Sequence, residues 1–323
     1  MTGRARAKPE LIADIGGTNA RFALRVPGRA PTRFRSLPTR DYRSLAGAAR
    51  AYQAGTGATP RRAAIAVASP VTGDRVRLTN RSWSFSRAGL RRALGLDALT
   101  VINDFVAVAH AVPRLRPADW VGVGGGAGDR RAPIALIGPG TGLGVALLVP
   151  GAARTIPVAT EGGHVTLAAV DAGEAEIIQA LRAQFSHVSA ERALSGPGLV
   201  NLYRVIAGLR GAACALSDPA AISDAALAKS DPVAVKALDA FCGFLGGVAG
   251  DLALSTGARG GVYIAGGIVP RFADRLARTQ FRRRFNAKGR FKSWLAPIPV
   301  RVITRPHPAL LGLCRLLDET REG

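Results

Sequence analysis

The chain has 323 residues, 48% of them hydrophobic and 20% charged, the balance of a soluble globular protein long enough for two domains. Its three cysteines, Cys214, Cys242 and Cys314, stand far apart without metal-ligand spacing, which excludes a cysteine-held zinc cluster and fits reduced structural thiols in a reducing compartment. A formal charge of +22 points toward nucleic acid or an anionic surface, yet all but five of the 44 basic residues are Arg, scattered along the whole chain, so a compositional bias explains it as well.

The N-terminal stretch MTGRARAKPELIAD is basic without a sustained apolar run, a poor secretory signal. Leu11 to Val26 reads as strand, Gly-rich turn and strand. A helix over Leu45 to Tyr52, a strand over Arg62 to Ala68 and a helix over Phe85 to Leu94 follow. Leu99 to Ile102 is a short strand, and Phe105 to Val112 a helix stopped by Pro113. This alternation is an α/β pattern. Asp119 to Arg131, rich in glycine, reads as a linker or exposed loop. Ile134 to Val149 is again strand, turn and strand. It lies in an uncharged run, Ala132 to Ala153, long enough to cross a membrane. Pro133, Pro139, Pro150 and clustered glycines break that run into two buried strands and a turn. Beyond Glu161 the chain is mainly helical. Ser195 is placed to cap a helix through Ile206, with Pro197 in its first turn. A long apolar helix runs from Pro232 to about Thr256. Gly261 to Ile268 and Val300 to Thr304 return to strand before a terminal helix from Ala309.

The two strand-turn-strand segments are copies of one pattern. Aligned on Ile12 with Ile134 and on Thr18 with Thr141, each has an apolar strand, a glycine turn carrying Thr, and a second apolar strand. A repeat at this distance implies two similar half-cores. Glycines let backbone N–H groups converge on an anion such as phosphate. Asp14 would then stand beside a magnesium ion bound to that phosphate. Ordinary hairpins share the glycine turns; the repeat, the common Thr and the single acid together favour the phosphate reading.

Other motifs admit two readings each. Asn103-Asp104 ends a strand and opens a helix, where ligands meet an α/β sheet and a carboxylate can take a hydroxyl proton, but Asn and Asp also serve as helix caps. Glu161-Gly162-Gly163-His164 can turn an acid and an imidazole onto one small polar molecule, or be a surface turn. Glu191 is a site acid or an exposed helical one. Thr79-Asn80-Arg81-Ser82-Trp83 is a binding loop or a polar loop anchored by Trp83. Ala265-Gly266-Gly267 leaves room for a flat ring against backbone, or makes a tight turn. Phe281 to Trp294 interleaves cations with aromatics, as a single-stranded nucleic-acid surface does and as a solvated amphipathic helix does.

Taken in order, the motifs DIGGTNARFAL (from Asp14), LTNRSWSFS (from Leu78), INDFVAVAHAVP (from Ile102), GPGTGLGVA (from Gly138), EGGHV (from Glu161), HVSAERALSGPGLVNLYR (from His187) and GGVYIAGGIVPRF (from Gly260) make the chain resemble the bacterial glucokinases of the hexokinase, acetate kinase and actin-like ATPase superfamily. The resemblance spans Leu11 to about Leu313. It implies an α/β, two-lobed actin-like ATPase (ribonuclease H-like) fold with a central cleft. A small α/β domain would comprise residues 1–112 plus 298–323, and a large α+β domain residues 113–297.

The same resemblance implies transfer of the ATP γ-phosphoryl group, with Mg²⁺, to the 6-hydroxyl of glucose. Asp104 would be the base. Asn80, Asn103, Glu161, His164 and Glu191 would hold the sugar hydroxyls. Gly16, Gly17, Thr18 and Asn19 would form one phosphate loop and Gly138, Gly140, Thr141 and Gly142 the other. Asp14 would face Mg²⁺ through water, and Gly266 and Gly267 would lie near the nucleoside. Such chemistry rests on positioning and charge neutralisation, with closure over the sugar to expel water. A cytoplasmic homodimer with no membrane or nucleic-acid partner is expected. Ala309 stands where the family typically has Gly, near the nucleotide side. A sugar-responsive repressor needs a DNA-binding segment before Asp14, where only a short stretch precedes it. A kinase of the broader repressor and kinase family needs a zinc-binding cysteine cluster.

Overall fold

The structure, a computed structural model, describes residues 8–79 and 82–322. The chain divides into one unit of residues 1–115 with 306–323 and another of residues 116–305.

The first unit holds β1 (Glu10–Ile15), β2 (Asn19–Arg25), β3 (Thr32–Pro38), α1 (Leu45–Thr56), β4 (Arg62–Val67), β5 (Arg75–Arg77), β6 (Ser84–Ser86), α2 (Arg87–Ala93), β7 (Ala98–Asn103) and α3 (Asp104–Ala111). Its sheet runs β3-β2-β1-β4-β7, with β1, β4 and β7 parallel and the β1–β2–β3 edge antiparallel. The central strand β4 reads RAAIAV and is buried almost throughout, as a strand covered on both faces must be. Helix α1 starts where Ser44 Oγ accepts the Gly47 N–H (3.1 Å) and ends on Gly57 in the left-handed region. Two expectations shift. β3 was not anticipated, because this edge strand, TRFRSLP, is largely exposed and lacks apolar alternation. The helix expected from Phe85 begins only at Arg87. Ser84–Ser86 pairs instead with Arg75–Arg77, and Ser86 Oγ caps α2 on the Gly89 N–H (3.0 Å).

The second unit holds β8 (Trp120–Gly122), β9 (Ile134–Pro139), β10 (Leu143–Pro150), β11 (Thr155–Thr160), α4 (Ala172–Arg182), α5 (Gly196–Leu209), α6 (Pro219–Ala228), α7 (Pro232–Thr256), β12 (Gly261–Ile264), α8 (Ala273–Leu276), α9 (Phe281–Asn286), α10 (Lys292–Leu295) and β13 (Val300–Ile303). Its sheet runs β11-β10-β9-β12-β13-β8. The first five strands repeat the order and directions of the other sheet: two antiparallel pairings, then two parallel ones. The duplicated hairpin is thus the visible part of a duplicated five-stranded sheet, the arrangement of the ribonuclease H-like fold. β8 is the addition, pairing antiparallel with β13, so the glycine-rich segment expected as a loop contains a short strand. The strand expected over Gly261 to Ile268 stops at Ile264.

Among the described residues α7 alone is long and apolar enough to cross a membrane, but 67% of its most apolar stretch is buried, and Phe241, Leu245, Ala249 and Ala253 pack fully inside the core. The uncharged run from Ala132 is the β9–β10 hairpin, as expected. The basic stretch from Phe281 is also largely built into the fold. Phe281 and Phe285 are fully buried, Arg282 donates to the carbonyls of Ala296 (2.6 Å) and Ile298 (3.0 Å), Arg284 pairs with Glu174, and Lys288 with Asp251 (2.6 Å).

The chain ends with α11 (Pro308–Glu322), which returns to the first unit and packs on α3. Gly312 makes that approach possible, since a Cβ there would overlap the Ala107 carbonyl. Arg25, 2% exposed, ties the helix down: it bonds Glu10 (2.7 Å), Asp318 (2.7 Å) and the Cys314 carbonyl (2.5 Å). β13 pairs within the second unit, and the chain returns to the first unit just before α11.

Candidate active site

In the first unit the residues singled out by sequence gather at the carboxyl ends of the parallel strands, the usual ligand edge of an α/β sheet. Asp14 lies beside Ala66 on β4, and Val67 at the end of β4 lies beside Asn103 at the end of β7. The turn between β1 and β2 closes by a Gly16 N–H to Asn19 carbonyl bond (3.0 Å), leaving Thr18 exposed at its tip. Thr39 braces the turn, donating its N–H to the Thr18 carbonyl (2.9 Å) and its hydroxyl to the Gly17 carbonyl (2.8 Å).

Asp14 is half-buried, and its cross-strand partner Arg21 approaches it at 3.4 Å. Burial pushes the Asp14 carboxyl above its usual range, with Arg21 and His307 opposing that shift. A desolvated carboxylate with one long ion pair fits a site that gains a cation. Among the described residues no three His, Cys, Asp or Glu side chains cluster to hold a metal.

His307 was not foreseen. It sits at φ +52°, just before Pro308, stacks on Phe34 (centroids 4.6 Å apart), and is held toward its neutral form by burial and by Arg21. It arrives with α11 from the far end of the chain, two residues before Ala309, which the sequence reading places near the nucleotide. Arg21 was more legible, as hairpin register places it opposite Asp14.

Asn103 is the cap of α3: its Oδ1 accepts the N–H groups of Phe105 (2.8 Å) and Val106 (3.2 Å). Asp104 is the first helical residue, with Oδ1 accepting the Phe105 N–H (2.9 Å). The helix N-terminus favours negative charge there. Ser69, also missed, follows β4 and accepts the Thr79 N–H (2.8 Å), while its carbonyl faces the Asn103 amide (3.4 Å). It thus links the Asn103 corner to the segment leading to Asn80. Asn80 itself lies outside the described residues.

In the second unit three motifs converge on the β9–β10 hairpin. Its turn closes by a Gly140 N–H to Gly142 carbonyl bond (2.8 Å), with Thr141 exposed at the tip as Thr18 is in the first copy. Gly266, at φ +90°, follows β12 so closely that a Cβ would overlap the Pro139 carbonyl, which brings Gly266 and Gly267 to the hairpin. Glu161 to His164 forms one 3₁₀ turn closed by the His164 N–H to Glu161 carbonyl bond (3.0 Å). Glu161 and His164, at the two ends of this turn, are both exposed. Glycine is needed at 163, where a side chain would strike the Leu143 carbonyl. The segment after this turn runs beside residues 188–190 through the Leu167 N–H to Val188 carbonyl (2.9 Å) and Ala190 N–H to Val165 carbonyl (2.8 Å) bonds. That pairing carries Glu191 to the same end of the sheet. Glu191 Oε2 accepts the Leu143 N–H (2.8 Å) at the foot of the hairpin.

A family profile described as Glucokinase matches residues 11–320 of the chain. A glucokinase of Aromatoleum aromaticum is 52% identical over 326 residues, covering 100% of this chain and 98% of the relative. A glucokinase of Paramagnetospirillum magneticum is 50% identical, covering 97% and 98%. Among solved structures, a glucokinase from an Antarctic psychrotroph is 39% identical with a TM-score of 0.85, covering 97% of this chain and 99% of that one.

Proposed function

The chain belongs to the glucokinase family, and from that premise we propose how its residues divide the work of ATP-dependent phosphorylation of glucose. The observation that carries the reading is the pair of glycine hairpins, each with an exposed Thr at its tip and each at the ligand edge of one copy of the duplicated sheet. The Gly16–Asn19 and Gly138–Gly142 turns, closed by the Gly16 and Gly140 N–H groups, would offer the N–H groups at their tips, such as those of Thr18 and Thr141, to phosphate oxygens. Gly266 and Gly267, lacking side chains beside Pro139, leave space for the nucleoside. Bound Mg²⁺ would neutralise charge on the transferring phosphate, and Asp14 would hold it through water.

Asp104 takes the proton from the 6-hydroxyl of glucose as that oxygen attacks the γ-phosphorus. The P–O bond to ADP breaks, and the proton stays on the carboxylate. Glu161, His164 and Glu191 would hold ring hydroxyls, and Asn80 and Asn103 are further expected sugar contacts. Since Asn103 Oδ1 is committed to the helix cap, its contribution to the sugar is the amide N–H. A site built on hydroxyl partners rejects a hexose whose hydroxyl points elsewhere. Two further expectations have supporting observations. The exposed Ile156 and Val158 on edge strand β11 suit burial against a second copy in a homodimer. The free thiols of Cys214, Cys242 and Cys314 suit the cytoplasm. Arg282, Arg284 and Lys288 serve the fold while Arg283 is exposed, which argues against most of that stretch as a polyanion surface. Release of ADP that depends on glucose tests the reading.

A further inference from the structure

Glu191 stands in two places at once. The reading above makes it a sugar ligand, yet its Oε2 takes the Leu143 N–H (2.8 Å) where β10 leaves the nucleotide hairpin. The contact is close enough that a Cβ on Gly142 would overlap Oε2. Among the described residues no protein donor bonds the other oxygen, Oε1. The segment bearing Glu191 is itself fixed. Its carbonyl accepts the Ser195 hydroxyl (2.8 Å), and the next residue, Gly196, donates its N–H to the Gly140 carbonyl (2.8 Å) at the hairpin tip. One short segment therefore grips the hairpin at two points, once through backbone and once through a carboxylate.

We propose that Glu191 is a positioning residue that couples sugar and nucleotide binding: one oxygen engages a glucose hydroxyl while the other sets the Gly140–Leu143 end of the hairpin. This rests on the glucokinase reading of the site. When a sugar hydroxyl donates to Oε1, the carboxylate is locked in the rotamer that holds Leu143, and the hairpin N–H groups are fixed for phosphate before ATP arrives. Linkage makes the effect reciprocal, so a correctly held hairpin strengthens glucose binding by the same factor.

Two variants separate the coupling from simple contact. Gly142 has no left-handed φ, so Gly142→Ala alters only the space beside Oε2. Although it adds nothing to the sugar, it should weaken glucose binding about tenfold in calorimetry without nucleotide, the scale of a lost charge-assisted hydrogen bond. Glu191→Asp keeps the charge but shortens the reach, and should weaken ADP binding several-fold with no sugar present. In the double variant the shorter acid no longer meets the added methyl group, so its glucose affinity should match that of Glu191→Asp alone. Unchanged binary affinities in both single variants would overturn the coupling, as would additive losses in the double variant. If wild-type protein released no ADP with glucose, the reading of the site would fall first; normal wild-type turnover with unmoved variant affinities would refute the coupling alone.

Discussion

Replacing Asp104 with Asn tests the chemistry with little structural disturbance, because the cap of α3 belongs to Asn103. Asp104→Asn leaves both cap bonds to Phe105 and Val106 in place and keeps an oxygen able to accept the Phe105 N–H. The structural loss is one negative charge in the first helical turn, about 0.3–1 kcal/mol. For a unit of this size that lowers the melting temperature by no more than about 4 °C. The catalytic loss is far larger. Removing a general base lowers turnover about 10²- to 10⁴-fold, roughly 3–5 kcal/mol of barrier. Glucose affinity by calorimetry should change only a few-fold. Asn103→Ala, by contrast, should cost about 0.5–2 kcal/mol of stability through the lost cap, together with the sugar contact that its amide would make. Near-normal turnover in Asp104→Asn, with a wild-type melting curve, would refute Asp104 as the base.

Other perturbations follow from the same contacts. Arg25→Met should destabilise the first unit by about 1.5–3 kcal/mol in denaturant unfolding, since Glu10 loses its buried partner but keeps Arg321 (2.8 Å), and Asp318 keeps Arg114 (2.7 Å). Although burial opposes it, bonding to Arg25 and Arg114 holds the Asp318 carboxyl below its usual range. Its stabilisation is therefore present above the unfolded carboxylate pKa and lost as pH falls through the lower folded value, and that acid loss should shrink in Arg25→Met. Burial pushes the Cys242 thiol up to about 12 and raises Cys314, whereas Cys214 is exposed. A chromogenic disulfide reagent at neutral pH should therefore titrate one thiol in native protein and three after denaturation. Arg284→Met should lower the melting temperature by leaving Glu174 unpaired, rather than only weakening adsorption to a polyanion column; unchanged melting would count against a structural role for that cation.

How much of this was legible depended on whether a residue's role was local. The hairpins, α1, α5 and α7 announced themselves through apolar pattern and capping residues such as Ser195, whose hydroxyl accepts the Gly198 N–H (2.9 Å). β3 and β8 did not, because each gains its place from a partner strand rather than from its own sequence. The same divide runs through the site. Gly138 to Gly142 and Glu161 to His164 are single turns, readable as units. That Glu191 bonds the hairpin and that His307 stacks on Phe34 are contacts across long sequence separations, and spacing carries no record of them. That Asn103 rather than Asp104 caps α3 is local, but the two residue types cap about equally well, so their order alone does not decide it.

The assignment stands most directly on a coupled assay of ADP release by wild-type protein with ATP and Mg²⁺ against a panel of hexoses. Release that depends on glucose, with fructose and galactose much poorer, is the expected result. Folded protein that releases no ADP in the presence of glucose would contradict the assignment, and comparable rates on galactose would contradict the role given to Glu161, His164 and Glu191 in choosing the sugar.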